Sequence, residues 1–99
     1  MVRATLMFHY KAQQGGLTLE MVLWQLPAKS PDRPHGLKYR LYLGQDGRNL
    51  LRYDNESGKG DHLHVGPREA EEAYPFSTME RLLEDFRVGC ERLGWRWNK

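Results

Sequence analysis

The chain has 99 residues, a formal net charge of +2 and a single cysteine, Cys90. This length suits one domain, which buries only about 60–65% of the surface that the unfolded chain exposes. No run approaches the roughly 18 apolar residues of a membrane span, and the start of the chain lacks a signal-peptide pattern. A lone cysteine suits a reducing compartment. We therefore expect one cytoplasmic domain over residues 1–99 without membrane contact.

The first part of the chain predicts a β-hairpin. Residues 2–11 alternate in hydrophobicity as a half-buried strand does. The residues predicted on one face of this strand are Val2, Ala4, Leu6, Phe8 and Tyr10. Residues 17–26 form a second, more apolar strand. Gly15 and Gly16 between them supply turn chemistry, because glycine tolerates a positive φ.

The middle of the chain predicts a loop and then three strands. Residues 27–36 contain three prolines and form an irregular loop, because proline removes a donor from a strand ladder. Strands are expected over residues 37–43 and 49–54, joined by Asp46-Gly47, which favours a type I′ turn. After a second glycine-containing loop, residues 61–65 resume as a strand.

The last third predicts a polar connector and then a helix. The connector covers residues 66–76, and Ser77 is the expected N-cap, with Glu80 completing a capping box. The residues at helical spacing on one apolar stripe are Met79, Leu82, Leu83, Phe86, Cys90 and Leu93. Gly94 is expected just after the helix, and Cys90 as a packed thiol. The predicted fold is α+β, an antiparallel meander of four to five strands with one C-terminal amphipathic helix packed on one face.

The segment from Arg52 to His64 carries the side chains best suited to chemistry. On a strand, His62 and His64 share a face with Cβ atoms roughly 6.5–7 Å apart, so two imidazoles can flank one phosphate as general acid and base. Gly58-Lys59-Gly60 can direct backbone N–H groups and an ammonium at an anion. Further candidates are Asp61 or Asp54 to orient a histidine, Arg40 and Arg52 for charge, and Tyr53 as a proton carrier or base-stacking platform.

Simpler interpretations remain open for the same residues. A Gly-Lys-Gly segment is often only a turn, and histidines two apart on a strand are often solvated surface residues. A metal site would need His35, His9 or a carboxylate as a third ligand beside His62 and His64. No such ligand stands at a diagnostic spacing, so we expect no metal and no other cofactor.

Six segments of the chain resemble the TumE-type toxin family of bacterial toxin–antitoxin systems. They are residues 20–27 (EMVLWQLP), 35–41 (HGLKYRL), 53–56 (YDNE), 58–64 (GKGDHLH), 74–77 (YPFS) and 82–86 (LLEDF). The similarity runs from Ala4 to Leu93 and leaves out the tail from Trp95 to Lys99. It implies a growth-inhibiting protein that is silenced by a cognate antitoxin, a partner that commonly carries a DNA-binding domain.

These observations give two main hypotheses for function. In the first, the chain is the toxin of a type II pair and a metal-independent ribonuclease, in which His62 and His64 act as acid and base. In the second, the protein is a non-enzymatic module that inhibits by occupying RNA, a ribosome surface or a protein. A third interpretation makes the exposed apolar surface an antitoxin interface.

Overall fold

The predicted meander is confirmed by the computed structural model, which describes residues 3–56 and 59–97. Its single sheet holds six antiparallel strands in chain order, one more than the upper end of the predicted range. The strands are Thr5–Gln14 (β1), Leu17–Gln25 (β2), Leu37–Gln45 (β3), Arg48–Asp54 (β4), His62–Val65 (β5) and Ala70–Ala73 (β6). Asp46 and Gly47 both have positive φ, of 51° and 81°, as the predicted type I′ turn requires.

The extra strand, β6, lies within the segment that we predicted to be a polar connector, so that prediction is wrong for residues 70–73. The two glutamates in this strand have low intrinsic strand preference, which hides it from propensity. It forms through its hydrogen-bonded ladder with β5, and within the described residues it is the last strand at this edge of the sheet. Charged side chains at such an edge discourage pairing with another chain.

A bulge in β1 also changes a prediction. Leu6 is opposite Trp24, whereas Phe8 is opposite Leu23, so one extra residue, Met7, lies between the two pairs. Because directly paired residues share a face, Leu6 and Phe8 point to opposite sides of the sheet. The single predicted face through Leu6 and Phe8 is therefore wrong, and the predicted position of Val2 lies outside the described residues.

The helix α1, Met79–Arg92, begins one residue later than the predicted cap implies. Its N-cap is Thr78, whose hydroxyl accepts a hydrogen bond from the backbone N–H of Arg81 at 3.0 Å. The capping box proposed for Ser77 is thus wrong, since Ser77 precedes the cap. Gly94 has a φ of 104° and directly follows the C-cap Leu93, as expected. This helix has 14 residues, too few to cross a bilayer, and no other helix is found in the part of the chain described here.

The hydrophobic core lies between this helix and one face of the sheet. Phe86 meets the ring of Tyr53 edge-on with 6.0 Å between centroids, and Cys90 is fully buried, as predicted. After the helix, Trp95 is 2% exposed and Gln14 exchanges two hydrogen bonds with the backbone of Arg96. The aromatic tail therefore folds back onto the sheet. The opposite face carries no helix, and we call it the open face.

Candidate functional site

A cavity of about 260 Å³ opens on the open face, over β3, β4 and the loop that follows β4. Its lining residues are Lys38, Tyr39, Arg40, Arg52, Asp54, Asn55, Glu56, Lys59 and His64. Five of the eight residues singled out from the sequence as site residues line it: Arg40, Arg52, Asp54, Lys59 and His64. The lining holds four cationic side chains and two carboxylates, which gives an anion-attracting balance.

The strand register brings the two histidines of β5 to this face. His64 is opposite Arg52, and His62 is opposite Asp54. The two imidazole centroids lie 6.4 Å apart with an angle of 40° between the rings. His64 lines the cavity and is 7% exposed, whereas His62 lies beside it, outside the set of lining residues. The predicted shared face is present.

Asp54 links a cation to a histidine at the floor of the cavity. Its Oδ2 accepts a hydrogen bond from Nε of Arg52 at 2.9 Å, and its Oδ1 lies 3.5 Å from Nε2 of His64. Arg52 also donates to Glu69 at 2.8 Å. Partial burial opposes the charge on Arg52, but the hydrogen bonds that Arg52 donates to Asp54 and Glu69 outweigh it and raise the pKa of the guanidinium. Arg52 therefore remains charged and holds Asp54 beside His64.

His62 is held by a hydrogen bond to Gly60 and by a contact with Glu71. Nδ1 lies 2.9 Å from the carbonyl oxygen of Gly60, which can only accept, so Nδ1 must carry a proton. Nε2 lies 3.1 Å from Oε2 of Glu71. Both ring nitrogens thus face oxygen atoms, which hold the ring between Gly60 and Glu71.

Three cations at the cavity form no ion pair with any of the described residues. Within the described residues, no Asp or Glu oxygen comes within 4.0 Å of the charged groups of Lys38, Arg40 or Lys59. The guanidinium of Arg40 instead lies over the ring of Tyr42, with 5.0 Å from Cζ to the centroid. These charges are free to meet an incoming anion.

Asp61 is held away from the two strand histidines. Both of its carboxylate oxygens lie 3.1 Å from Nε2 of His35, a residue of the proline-rich loop. Nδ1 of His35 accepts a hydrogen bond from the backbone N–H of Leu37. Nε2 is therefore the ring nitrogen that donates a hydrogen bond to the carboxylate of Asp61. Burial, and then the charge of Asp61, raise the pKa of the neighbouring Tyr39. The histidine that Asp61 orients is therefore His35, and the carboxylate beside His64 is Asp54.

Tyr53 points to the opposite side of the sheet from the cavity. It is 8% exposed, and its ring contacts Tyr74 at a centroid distance of 5.1 Å in the core. Burial raises the pKa of its hydroxyl, which does not favour a proton carrier. Gly58, proposed as part of an anion loop, lies outside the described residues. Gly60 has a φ of 77°, and its carbonyl is engaged by His62.

The side chains considered as further metal ligands do not converge. His9 pairs with Glu20 at 2.8 Å on β1 and β2, and His35 pairs with Asp61. In residues 3–56 and 59–97, no group of three or more His, Cys, Asp and Glu side chains could hold a metal ion. The absence of a metal stays a prediction, to be tested with a chelator.

Five residues of the site were not among the site residues predicted from the sequence: Lys38, Tyr39, Asn55 and Glu56 in the cavity lining, and Glu71 beside it. Lys38 could have been found, because residues 37–43 alternate and place Lys38, Arg40 and Tyr42 on one face. Glu71 could not, because it contacts His62 only through the unpredicted strand β6. The position of Lys38 follows from a local sequence pattern, whereas the position of Glu71 depends on pairing between strands.

Comparison with known proteins gives one match, to a sequence model of a protein family. That family is described as toxin TumE, and the match covers residues 3–93. None of the curated proteins and none of the solved structures matches the chain significantly. Since the match spans nearly the whole chain of 99 residues, the protein belongs to the TumE toxin family and is a toxin of a toxin–antitoxin system.

Proposed function

We propose that the cavity on the open face is the active site of a metal-independent ribonuclease, the toxin of a type II pair. The observation that carries this proposal is the placement of His62 and His64 on one sheet face, with ring centroids 6.4 Å apart, beside unpaired cations. Two imidazoles at this separation can reach opposite sides of one phosphodiester.

His64 takes the role of general base in this proposal. Its Nε2 points toward Asp54, and no described residue forms a hydrogen bond with its Nδ1. Nδ1 would remove the proton of the ribose 2′-hydroxyl, whose oxygen then attacks the neighbouring phosphorus. Asp54 stabilises the imidazolium that forms and keeps the ring in place, as a buried carboxylate does beside other catalytic histidines.

His62 takes the role of general acid. As the P–O5′ bond breaks, the imidazolium of His62 would give its Nε2 proton to the leaving 5′-oxygen, and Glu71 would then face a neutral ring. The products are a 2′,3′-cyclic phosphate and a 5′-hydroxyl, and the step needs no co-reactant. Lys59 and Arg40 would stabilise the charge that develops on the phosphorane oxygens. Arg52, already paired with two carboxylates, would act by positioning Asp54.

The test is cleavage of RNA by purified protein and its variants. We expect His64→Ala and His62→Ala each to lower the rate about 10²- to 10⁴-fold, which is the usual contribution of a positioned acid or base. The 5′ fragments should end in cyclic phosphate. The same variants should no longer arrest growth in a host that lacks the antitoxin.

His9→Ala is the matched control, because His9 is a strand histidine on the open face that pairs with Glu20 rather than with the cavity. It should cleave as the parent does. Cleavage should persist in EDTA, and its rate should be bell-shaped in pH, since one histidine must be neutral and the other charged. If both cavity variants cleave RNA at the parental rate, the assignment fails.

A second candidate function is inhibition by occupancy. It is favoured by the same unpaired cations, which suit binding to RNA or to a ribosome surface without chemistry. Arrest of growth while every RNA stays intact would support this candidate and overturn the nuclease proposal. Membership of the family implies a cognate antitoxin as partner. We propose that this antitoxin carries a DNA-binding domain.

A further inference from the structure

The open face carries two aromatic side chains beside the cavity. Trp24 on β2 is opposite the cavity residue Lys38, and Tyr42 on β3 is opposite the cavity residue Arg52. Both aromatic residues are half-buried, so part of each ring meets solvent. Lys38 and Tyr42 are four residues apart, about 13 Å along the strand, so the two rings can contact separate groups of one ligand.

The Tyr42 ring lies along β3 because residue 44 has no side chain. A Cβ on Gly44 would stand 1.9 Å from the Tyr42 hydroxyl, so the ring occupies space that any other residue would fill. The Arg40 guanidinium lies over this ring. Together the two groups form a platform on which a planar base can stack.

The charges of this face suit a polyanion. The carboxylates that the strands place here are already paired: Glu20 with His9, Asp54 with Arg52 and Glu71 with His62. Lys38, Arg40 and Lys59 have no such partner among the described residues. Positive charge alternating with aromatic rings is the arrangement that binds single-stranded nucleic acid, with phosphates on the cations and bases on the rings.

We infer that the open face binds single-stranded RNA, stacking bases on Tyr42 and Trp24 and leading the strand across Lys38 and Arg40 to the two histidines. This inference rests on the proposed function and names its substrate. Bases in a duplex are already stacked on one another, and their ring faces cannot reach Tyr42 or Trp24. The site therefore selects an unpaired strand by shape, with little dependence on base sequence.

The experiment uses a fluorescein-labelled 2′-O-methyl RNA of twelve nucleotides, which lacks the nucleophile and cannot be cleaved. Fluorescence anisotropy compares this strand with its duplex. We expect the single strand to bind at least about 10-fold more tightly. Tyr42→Leu and Trp24→Leu should each weaken binding about 5- to 100-fold, since leucine keeps the apolar volume but offers no ring for stacking.

Tyr10→Leu is the matched control, because Tyr10 is a tyrosine 49% exposed that pairs with Met21 on the opposite side of the sheet. Its affinity should equal that of the parent. Tyr42→Phe should also bind as the parent does, and circular dichroism checks that each variant is folded. Lys38→Ala should reduce the salt dependence of binding by about one unit of slope.

The outcomes separate this inference from the nuclease proposal. Tight, ring-dependent binding of the single strand together with no cleavage of unmodified RNA would overturn the catalytic assignment alone. Equal affinities for Tyr42→Leu, Tyr10→Leu and the parent, or equal binding of duplex and single strand, would overturn the inference even if the protein cleaves RNA.

Discussion

Asn55 holds the wall of the cavity together. Its side chain is 1% exposed and forms two hydrogen bonds with the backbone of β3: Oδ1 accepts from the N–H of Tyr39, and Nδ2 donates to the carbonyl of Leu37. Its own carbonyl accepts two hydrogen bonds from the Arg33 guanidinium of the proline-rich loop. The side chain and the backbone carbonyl of this one residue therefore join β3, the end of β4 and the proline-rich loop. No local sequence pattern predicts that these three segments meet.

We expect Asn55→Ala to destabilise the protein by about 2–4 kcal/mol, because each buried backbone group left without a partner costs about 1–3 kcal/mol. Urea unfolding measures this cost, and hydrogen exchange of the Tyr39 amide should accelerate. The exposed neighbour Glu56 is the control, and Glu56→Ala should change stability by less than about 0.5 kcal/mol. Unchanged exchange at Tyr39 would contradict this account.

The helix is attached to the sheet by a close approach and a cap. A Cβ on Gly89 would stand 2.6 Å from Cδ2 of the buried Leu51, so the glycine in the apolar stripe serves close packing of α1 on β4. Glycine lowers helix propensity by about 1 kcal/mol relative to alanine, and this loss is accepted here because only glycine allows the close contact. At the other end, the Thr78 hydroxyl satisfies a backbone donor that the helix itself cannot.

The two neighbouring hydroxyl residues allow a direct test of where the helix begins. Thr78→Ala should lower the free energy of unfolding by about 1 kcal/mol, the usual cost of losing an N-cap. Ser77→Ala removes a similar group that precedes the cap, and it should lie within about 0.5 kcal/mol of the parent. Thermal or urea unfolding of both variants measures the two losses of stability and shows which residue is the N-cap. A larger loss in the Ser77 variant would place the cap one residue earlier.

The whole molecule is divided into two sides of one sheet. One side, with the helix, buries phenol and thiol groups: Tyr53 packs on Phe86, Tyr74 donates to Asp85 at 2.6 Å, and Cys90 is fully covered. Burial raises the pKa of Cys90 to about 12 and raises that of Tyr53 as well. The other side carries the histidines and cations of the cavity, and its Lys38, Arg40 and Lys59 are exposed to solvent, where an anion can reach them.

This division predicts a loss of stability at alkaline pH. The buried thiol and phenols stay protonated in the folded chain, whereas the unfolded chain releases these protons from about pH 9 upward. Because the unfolded state then binds fewer protons, the free energy of unfolding should fall as pH rises from about 9 to 12, by up to about 1.4 kcal/mol per unit for each group.

Urea titrations between pH 7 and 11 measure this fall. Cys90→Ala is the control for the thiol: it is less stable at every pH because of its cavity, yet its stability should decline less steeply between about pH 9 and 10. The intact thiol should also react with a disulfide reagent only after unfolding. Stability that is constant from pH 8 to 11 would contradict the prediction.

Elements whose signals are local could be predicted from the sequence. Strand alternation after the bulge in β1, the Asp46-Gly47 turn and the helical stripe through Leu82, Phe86 and Cys90 each depend on residues close together in the chain, and the structure confirms them. The shared face of His62 and His64 follows from the same period of two. The resemblance of six segments to the TumE family predicted the family, and the match over residues 3–93 confirms it.

Contacts between residues far apart in the chain could not be predicted from the sequence and appear in the fold. The contact of Asp61 with His35, the hold of Glu71 on His62 through β6, and the burial of Trp95 all join segments that pair across the sheet or pack against it. Hydrophobic periodicity assigns a residue to a face, but it does not name the strand or loop opposite, because pairing depends on long-range packing. For that reason the sequence predicted the two histidines and Asp54, whereas the contacts of Glu71 with His62 and of Asp61 with His35 appear only in the folded chain.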